Sequence, residues 1–193
     1  MTLLKQYQDS KTLILSVMGP HAGEEDSAIF ARKMGDIAQV GWTLWVIRSS
    51  KARPPRIQEM CDGGGVPIVF IEPSTAGGAQ PTVSDSAALE FSNDKASWQA
   101  IPSGMGPVTG KMDAGAYALC LDRLEFAPDG VVEDLHAYAE VGLSAGPVVT
   151  KIGASTVCVV RHGTAGHAQA MKSRYRRVIA VGRLRWPGAV WLR

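Results

Sequence analysis

Three short, almost uninterrupted apolar runs constrain this chain most. They are residues 13–18 (LILSVM), residues 42–47 (WTLWVI) and Val66–Ile71 (VPIVFI), spaced so that one helix fits between each pair. Runs this short and rich in β-branched and aromatic residues read as strands buried on both faces. Gly19-Pro20-His21-Ala22-Gly23 breaks the chain after the first run, and Glu24, Glu25 and Asp26 follow, which favours a helix start. Phe30, Ala31, Met34, Ile37 and Ala38 then recur at helical spacing, and Gly41 suits a C-terminal cap. Pro54-Pro55 opens a second short helix with Ile57, Met60 and Cys61 on its apolar face, and Gly63-Gly64-Gly65 ends it. The order β-α-β-α-β implies an α/β fold with a Rossmann-like three-layer core and parallel strands in residues 11–72.

Beyond residue 72 the pattern changes. Residues 73–82 form a Gly/Ser/Pro-rich loop, residues 84–92 could make one short helix, and residues 93–115 show little periodicity. Residues 117–126 are ambiguous by periodicity and are read as a strand, and residues 131–140 as a helix. Residues 147–152, 155–161, 177–184 and 189–192 read as strands. Arg185-Trp186-Pro187-Gly188 between the last two signals a turn, hence a C-terminal antiparallel hairpin within a β portion over 147–193. The expected organisation is an α/β core over 1–126 and a basic, β-rich portion over 127–193, continuous as one domain.

A chain of 193 residues with 46% hydrophobic and 20% charged residues has the composition of a globular protein. Its three cysteines, Cys61, Cys120 and Cys158, show no ligand or disulfide spacing, which suits a reducing, cytoplasmic location. No apolar run reaches the roughly 20 residues of a membrane-spanning helix. His136 has no cysteine or histidine at ligand spacing, so neither a metal nor a cofactor is expected. Oligomeric state is not legible.

In a parallel sheet, ligands bind beyond the carboxyl ends of the strands. Those ends supply Gly19, His21, Gly23, Glu24 and Glu25, then Arg48, Ser49, Ser50 and Lys51, then Glu72, Ser74 and Thr75. Gly19, His21, Gly23, Ser49 and Lys51 are the candidate ligand-binding residues there. Glu24, or Glu25 beside it, is a candidate acid, base or nucleophile; the competing reading is that Glu24, Glu25 and Asp26 simply cap the helix.

Three segments imitate catalytic motifs. Residues 104–112 (GMGPVTGKM) resemble a phosphate-binding P-loop. Gly104 stands five residues from Gly-Lys and Gly106 three, where four are required, and Met112 replaces the hydroxyl that would meet magnesium. Residues 142–146 (GLSAG) have nucleophile-elbow spacing, but no Asp or Glu follows Ser144. Residues 159–164 (VVRHGT) resemble the RHG motif of the histidine phosphatase family, which implies His162 as a phosphorylated nucleophile after a strand. That family places the motif near the start of its domain; here it comes near the end, with His167 the one later histidine. A histidine in a polar loop is the structural alternative.

Charge is unevenly spread. Residues 1–140 hold 11 Lys and Arg against 18 Asp and Glu, a net −7, whereas residues 141–193 hold nine cations and no acid. Lys172, Arg174, Arg176 and Arg177 surround Tyr175, and Arg183 and Arg185 follow. Arg177, Arg183 and Arg185 would share one strand face, leaving Val178, Ala180, Gly182 and Leu184 toward the core. Such a face can meet phosphates, so a nucleic acid or nucleotide is the leading expected partner. Internal pairing with the acidic part of the chain is the competing use of the same cations. An enzyme acting on a phosphate ester or nucleotide at the strand ends, and a protein-interaction module using Trp42, Trp98, Trp186 and Trp191, are the alternatives.

Overall fold

The computed structural model describes residues 5, 7, 9, 10, 12–18, 24–47, 52–72, 86–140, 157–162 and 175–193. The strands are β1 (Thr12–Val17), β2 (Thr43–Ile47), β3 (Val66–Ile71), β4 (Ser86–Ala87), β5 (Glu90–Ser92), β6 (Gln99–Ala100), β7 (Thr109–Gly110), β8 (Tyr117–Phe126), β9 (Val132–Asp134), β10 (Tyr138–Glu140), β11 (Val157–His162) and β12 (Tyr175–Leu192). Among the described residues, helices α1 (Asp26–Val40) and α2 (Pro54–Cys61) are complete, a 3-10 turn covers Leu135–Ala137, and Lys5, Tyr7 and Asp9 are also helical. The protein is thus mixed α/β and rich in strands, and it divides into two compact units. The first comprises Met1–Gly19, Pro67–Ala79 and Glu125–Gly182; the second comprises Pro20–Val66, Gln80–Leu124 and Arg183–Arg193.

In the first unit the strand order is β10-β11-β1-β3-β12. β1 and β3 are parallel, with Ile14 opposite Ile68 and Val17 opposite Ile71. β11 runs antiparallel to β1, and β10 to β11. The core gathers Leu13, Leu15, Val17, Val69, Ile71, Val160, Val178 and Val181 around Leu135 and Tyr138. Residues 131–140 are therefore not a helix. β9 pairs with the start of β12, the 3-10 turn buries Leu135, and β10 joins the sheet. Long-range pairing overrode a helix-compatible local pattern.

In the second unit β2 pairs antiparallel with β8, Thr43 opposite Leu121 and Ile47 opposite Tyr117. β2 consequently joins neither β1 nor β3, and the parallel pairing expected of three strands is confined to two. β8 pairs with β12, and β5 lies between β12 and β6. Of the helix expected over 84–92, the described part, residues 86–92, instead holds β4 and β5. The expected C-terminal hairpin is also absent: β12 continues through Arg185-Trp186-Pro187-Gly188. Arg183 binds Asp122 and Arg185 lies over Trp42, whereas Val190 and Leu192 join the core with Leu44 and Cys120. By register, Leu44, Cys120 and Asp122 share one face, and Trp42 packs against the same cluster. The strand therefore changes which alternate residues meet that face between Arg185 and Val190. Proline lacks a ladder donor, and Gly188 has a φ of 83°. Together they bend the strand locally without reversing it.

Helix α1 ends on Gly41, whose left-handed conformation lets its N–H cap Ile37. Its buried stripe is Ile29, Phe30, Lys33 and Asp36, while Ala31 and Ala38 face solvent. The Asp36 carboxylate lies 3.5 Å from the Lys33 ammonium. It also accepts the Thr43 hydroxyl at 2.7 Å and the Gly106 N–H at 2.8 Å. Four polar groups thus satisfy one another where either charge alone would be costly. The same bond commits a backbone donor of the P-loop-like segment to a carboxylate.

Burial lowers the Lys33 pKa from 10.5 to about 8, against the pull of Asp36. Burial raises the Cys61 thiol from 9.0 to about 11 and the Cys120 thiol to about 12. From about pH 8 upward, the unfolded chain keeps a proton on Lys33 that the folded chain releases, so stability rises by up to about 1.4 kcal/mol per pH unit. Above about pH 9 the unfolded thiols ionise while the folded ones stay protonated, so their contribution falls with pH. A stability maximum near about pH 9 is expected in urea titrations. Lys33→Met should abolish the rise and keep the fall. A wild-type stability that only declines from pH 7 upward would contradict this assignment.

Candidate nucleic-acid interface

The sequence places its candidates at strand ends and along β12. Gly19, His21, Gly23, Ser49, Lys51, Lys172 and Arg174 lie outside the described residues. Glu24 is described, and Arg32 grips its carboxylate with Nη2 at 2.9 Å and Nε at 3.4 Å. Arg32 also reaches the Pro107 carbonyl at 3.4 Å. Glu24 thus fastens α1 and is already engaged by a cation. His162 is the last residue of β11, opposite Tyr138 in the register, and is not in a loop. Among the described residues no group of three or more His, Cys, Asp or Glu could hold a metal ion.

Along β12 the cations have separate environments. Arg176 is buried, donates to the Tyr175 carbonyl at 3.2 Å, and has its pKa lowered by burial. Arg177 is exposed and binds Glu72 at 3.3 Å, while its backbone N–H meets the same carboxylate. Arg183 forms a bidentate pair with Asp122 at 2.9 and 2.7 Å, and that pairing raises its pKa. Arg185 is exposed, pairs with no acid among the described residues, and stands 5.5 Å from the centre of the Trp42 ring. Val178, Ala180 and Leu184 are buried, as the alternation implies. Among the described residues, Arg177 and Arg183 are therefore answered by acids, and Arg185 is left facing solvent. Beside it the Trp186 ring is 60% exposed.

A second group was not assembled by sequence reasoning. Trp191 opposes Ser92, and Glu90 opposes Ala100, so Trp191, Arg193, Glu90, Ser92 and Ala100 share one face of β5, β6 and the end of β12. The Lys95 ammonium lies 3.9 Å from the centre of the Trp191 ring, and the Arg193 guanidinium lies 4.2 Å from that of Trp98. Tyr117 meets Trp191 edge-on at 6.1 Å, and Arg193 pairs with Glu90 at 2.7 Å.

The loop before Trp98 is wired tightly. The Ser92 hydroxyl accepts the N–H groups of Asp94 and Lys95, and an Asp94 oxygen accepts those of Ala96 and Ser97. These donors hold the exposed Asp94 carboxyl below its ordinary pKa, Ser97 foremost. They also hold Lys95 at φ 67°, a conformation costly for any residue but glycine. Ser92-Asn93-Asp94 was the available signal, because such residues bond to the backbone beyond them. That the loop would set a lysine over a ring 96 positions away was not readable from it.

Within the first unit, Tyr138 donates to Glu133 at 2.8 Å, and the Tyr7 and Tyr138 hydroxyls are bonded to each other. Burial raises the pKa of both Glu133 and Tyr138. This network ties Tyr7 to the core.

Among the described residues, no helix is long and apolar enough to cross a membrane. Comparison with known family models, curated proteins and solved structures finds no match.

Proposed function

We propose that the protein associates with nucleic acid, contacting phosphates through the C-terminal half of β12 in the second unit. The observation that carries this reading is Arg185: an exposed guanidinium with no carboxylate partner among the described residues, on a strand where the exposed Arg177 and the half-buried Arg183 are paired with acids. An arginine not already neutralised keeps its full fork for a phosphate. Arg183 stands two residues away on the same strand face, held in place by Asp122. Among the described residues of the basic segment, this points to Arg185 and its surroundings as the part to meet a partner.

The test is binding of a labelled oligonucleotide by fluorescence anisotropy across a salt series. Affinity should fall steeply with salt, and Arg185→Ala should weaken binding by roughly threefold to tenfold and reduce the salt slope by about one contact. An affinity insensitive to salt, or an Arg185→Ala protein that binds like wild type, would overturn the reading.

A further inference from the structure

We propose that the face of β5, β6 and the end of β12 is a stacking platform for the unpaired bases of a single-stranded nucleic acid. This rests on the association proposed above and names the class of partner.

The platform is built from Trp98 and Trp191, both partly exposed. The Trp98 indole N–H is fixed on the Lys95 carbonyl at 3.1 Å, and Trp191 is held edge-on by Tyr117. Rings fixed in advance lose little freedom when a ligand stacks on them. Each ring has a cation over it, Arg193 over Trp98 and Lys95 over Trp191. A cation over an exposed ring is worth only about 0.5–1 kcal/mol, so a base can take its place. A stacked base is worth more, about 1–3 kcal/mol, and the displaced cation is then beside the neighbouring phosphate.

Two acids of the face, Glu90 and Asp94, are matched by two cations, Arg193 and Lys95, so these groups present no net negative charge to a polyanion. Glu90 is neutralised by Arg193, and one Asp94 oxygen is occupied by two backbone N–H groups. Lys95 donates to the Ala114 carbonyl and to no carboxylate among the described residues. Ala96, Ser97, Gln99 and Ala100 around the rings are exposed, so nothing among the described residues covers this edge. Duplex bases are stacked on one another and offer no free face, whereas single-stranded bases do. The geometry therefore selects single strands.

The experiment measures the anisotropy of a labelled 12-nucleotide thymidine strand and of its duplex with the complementary adenine strand. Single strands should bind at least about tenfold more tightly, and Trp98→Ala should weaken them by roughly 5- to 100-fold with little effect on duplex binding. Lys95→Gly removes the ammonium but keeps the left-handed turn, which glycine adopts freely. It should cost single-strand binding severalfold while leaving the melting temperature unchanged or raised. If Trp98→Ala does not fold, Trp98→Leu and Lys95→Gly decide the matter by the same comparison. Equal affinity for strand and duplex, or a folded ring-deleted variant that binds like wild type, overturns the platform. If duplex binding is lost in Arg185→Ala but indifferent to Trp98, the platform fails and the phosphate reading stands. If neither nucleic acid binds, both fail.

Discussion

Asp36→Ala should destabilise the protein by about 3–5 kcal/mol, the range for removing one partner of a buried ion pair. Asp36 is 5% exposed, and its carboxylate holds Lys33, the Thr43 hydroxyl and the Gly106 N–H. Its loss strands a buried ammonium, a buried hydroxyl and a backbone donor together. For a chain of this size the melting temperature should drop by on the order of 10 °C. Asp36→Asn keeps acceptor and shape and should cost less. Lys33→Met in the Asp36→Ala background should recover part of the loss, because it removes the stranded charge. A double-mutant cycle measures that coupling directly. A loss below about 1 kcal/mol in Asp36→Ala would mean that the cluster does not close as described.

Gly188→Ala should cost about 3 kcal/mol, from two additive causes. A Cβ at this position would lie 2.5 Å from the Cys61 Sγ and 3.0 Å from both the Cys61 Cβ and the Ile57 Cγ2. The residue also has a φ of 83°, which penalises any side chain. Cys61→Ala in the same background should relieve the sulfur clash but leave the backbone penalty, recovering roughly a third to a half of the loss. Full recovery would show that the strain is packing alone; none would show that α2 does not approach β12 this closely. Because Gly188 lies on the strand that bears Arg185, the variant should also weaken oligonucleotide binding where it remains folded.

Several elements were legible because their signals are local. The run Val66–Ile71 emerged as β3 without adjustment, and α1 stopped on Gly41 as its capping position implied. Pro54-Pro55 opened α2 for the reason proline opens helices generally, its missing N–H being an orphan there in any case. Residues 131–140 misled because a strand, a 3-10 turn and a strand can carry the same apolar spacing as a helix. Lys33 and Asp36 misled because hydropathy assigns both to solvent. Each is tolerable inside only because of the other, and of Thr43 and Gly106.

The same division holds for the candidate interface. The amino-acid sequence by itself determined that Arg177 and Arg183 lie on strand, that Val178, Ala180 and Leu184 turn inward, and that the two arginines alternate away from them. Periodicity of two is a property of the backbone and needs no partner. Which cations stay available was decided only by the tertiary structure. Asp122, Glu72 and Glu90 are 61, 105 and 103 positions from the arginines they neutralise. Coulomb attraction depends on distance in space, and strand pairing sets that distance. So net charge reported an excess of cations, and the fold decided which of the described ones are neutralised by acids.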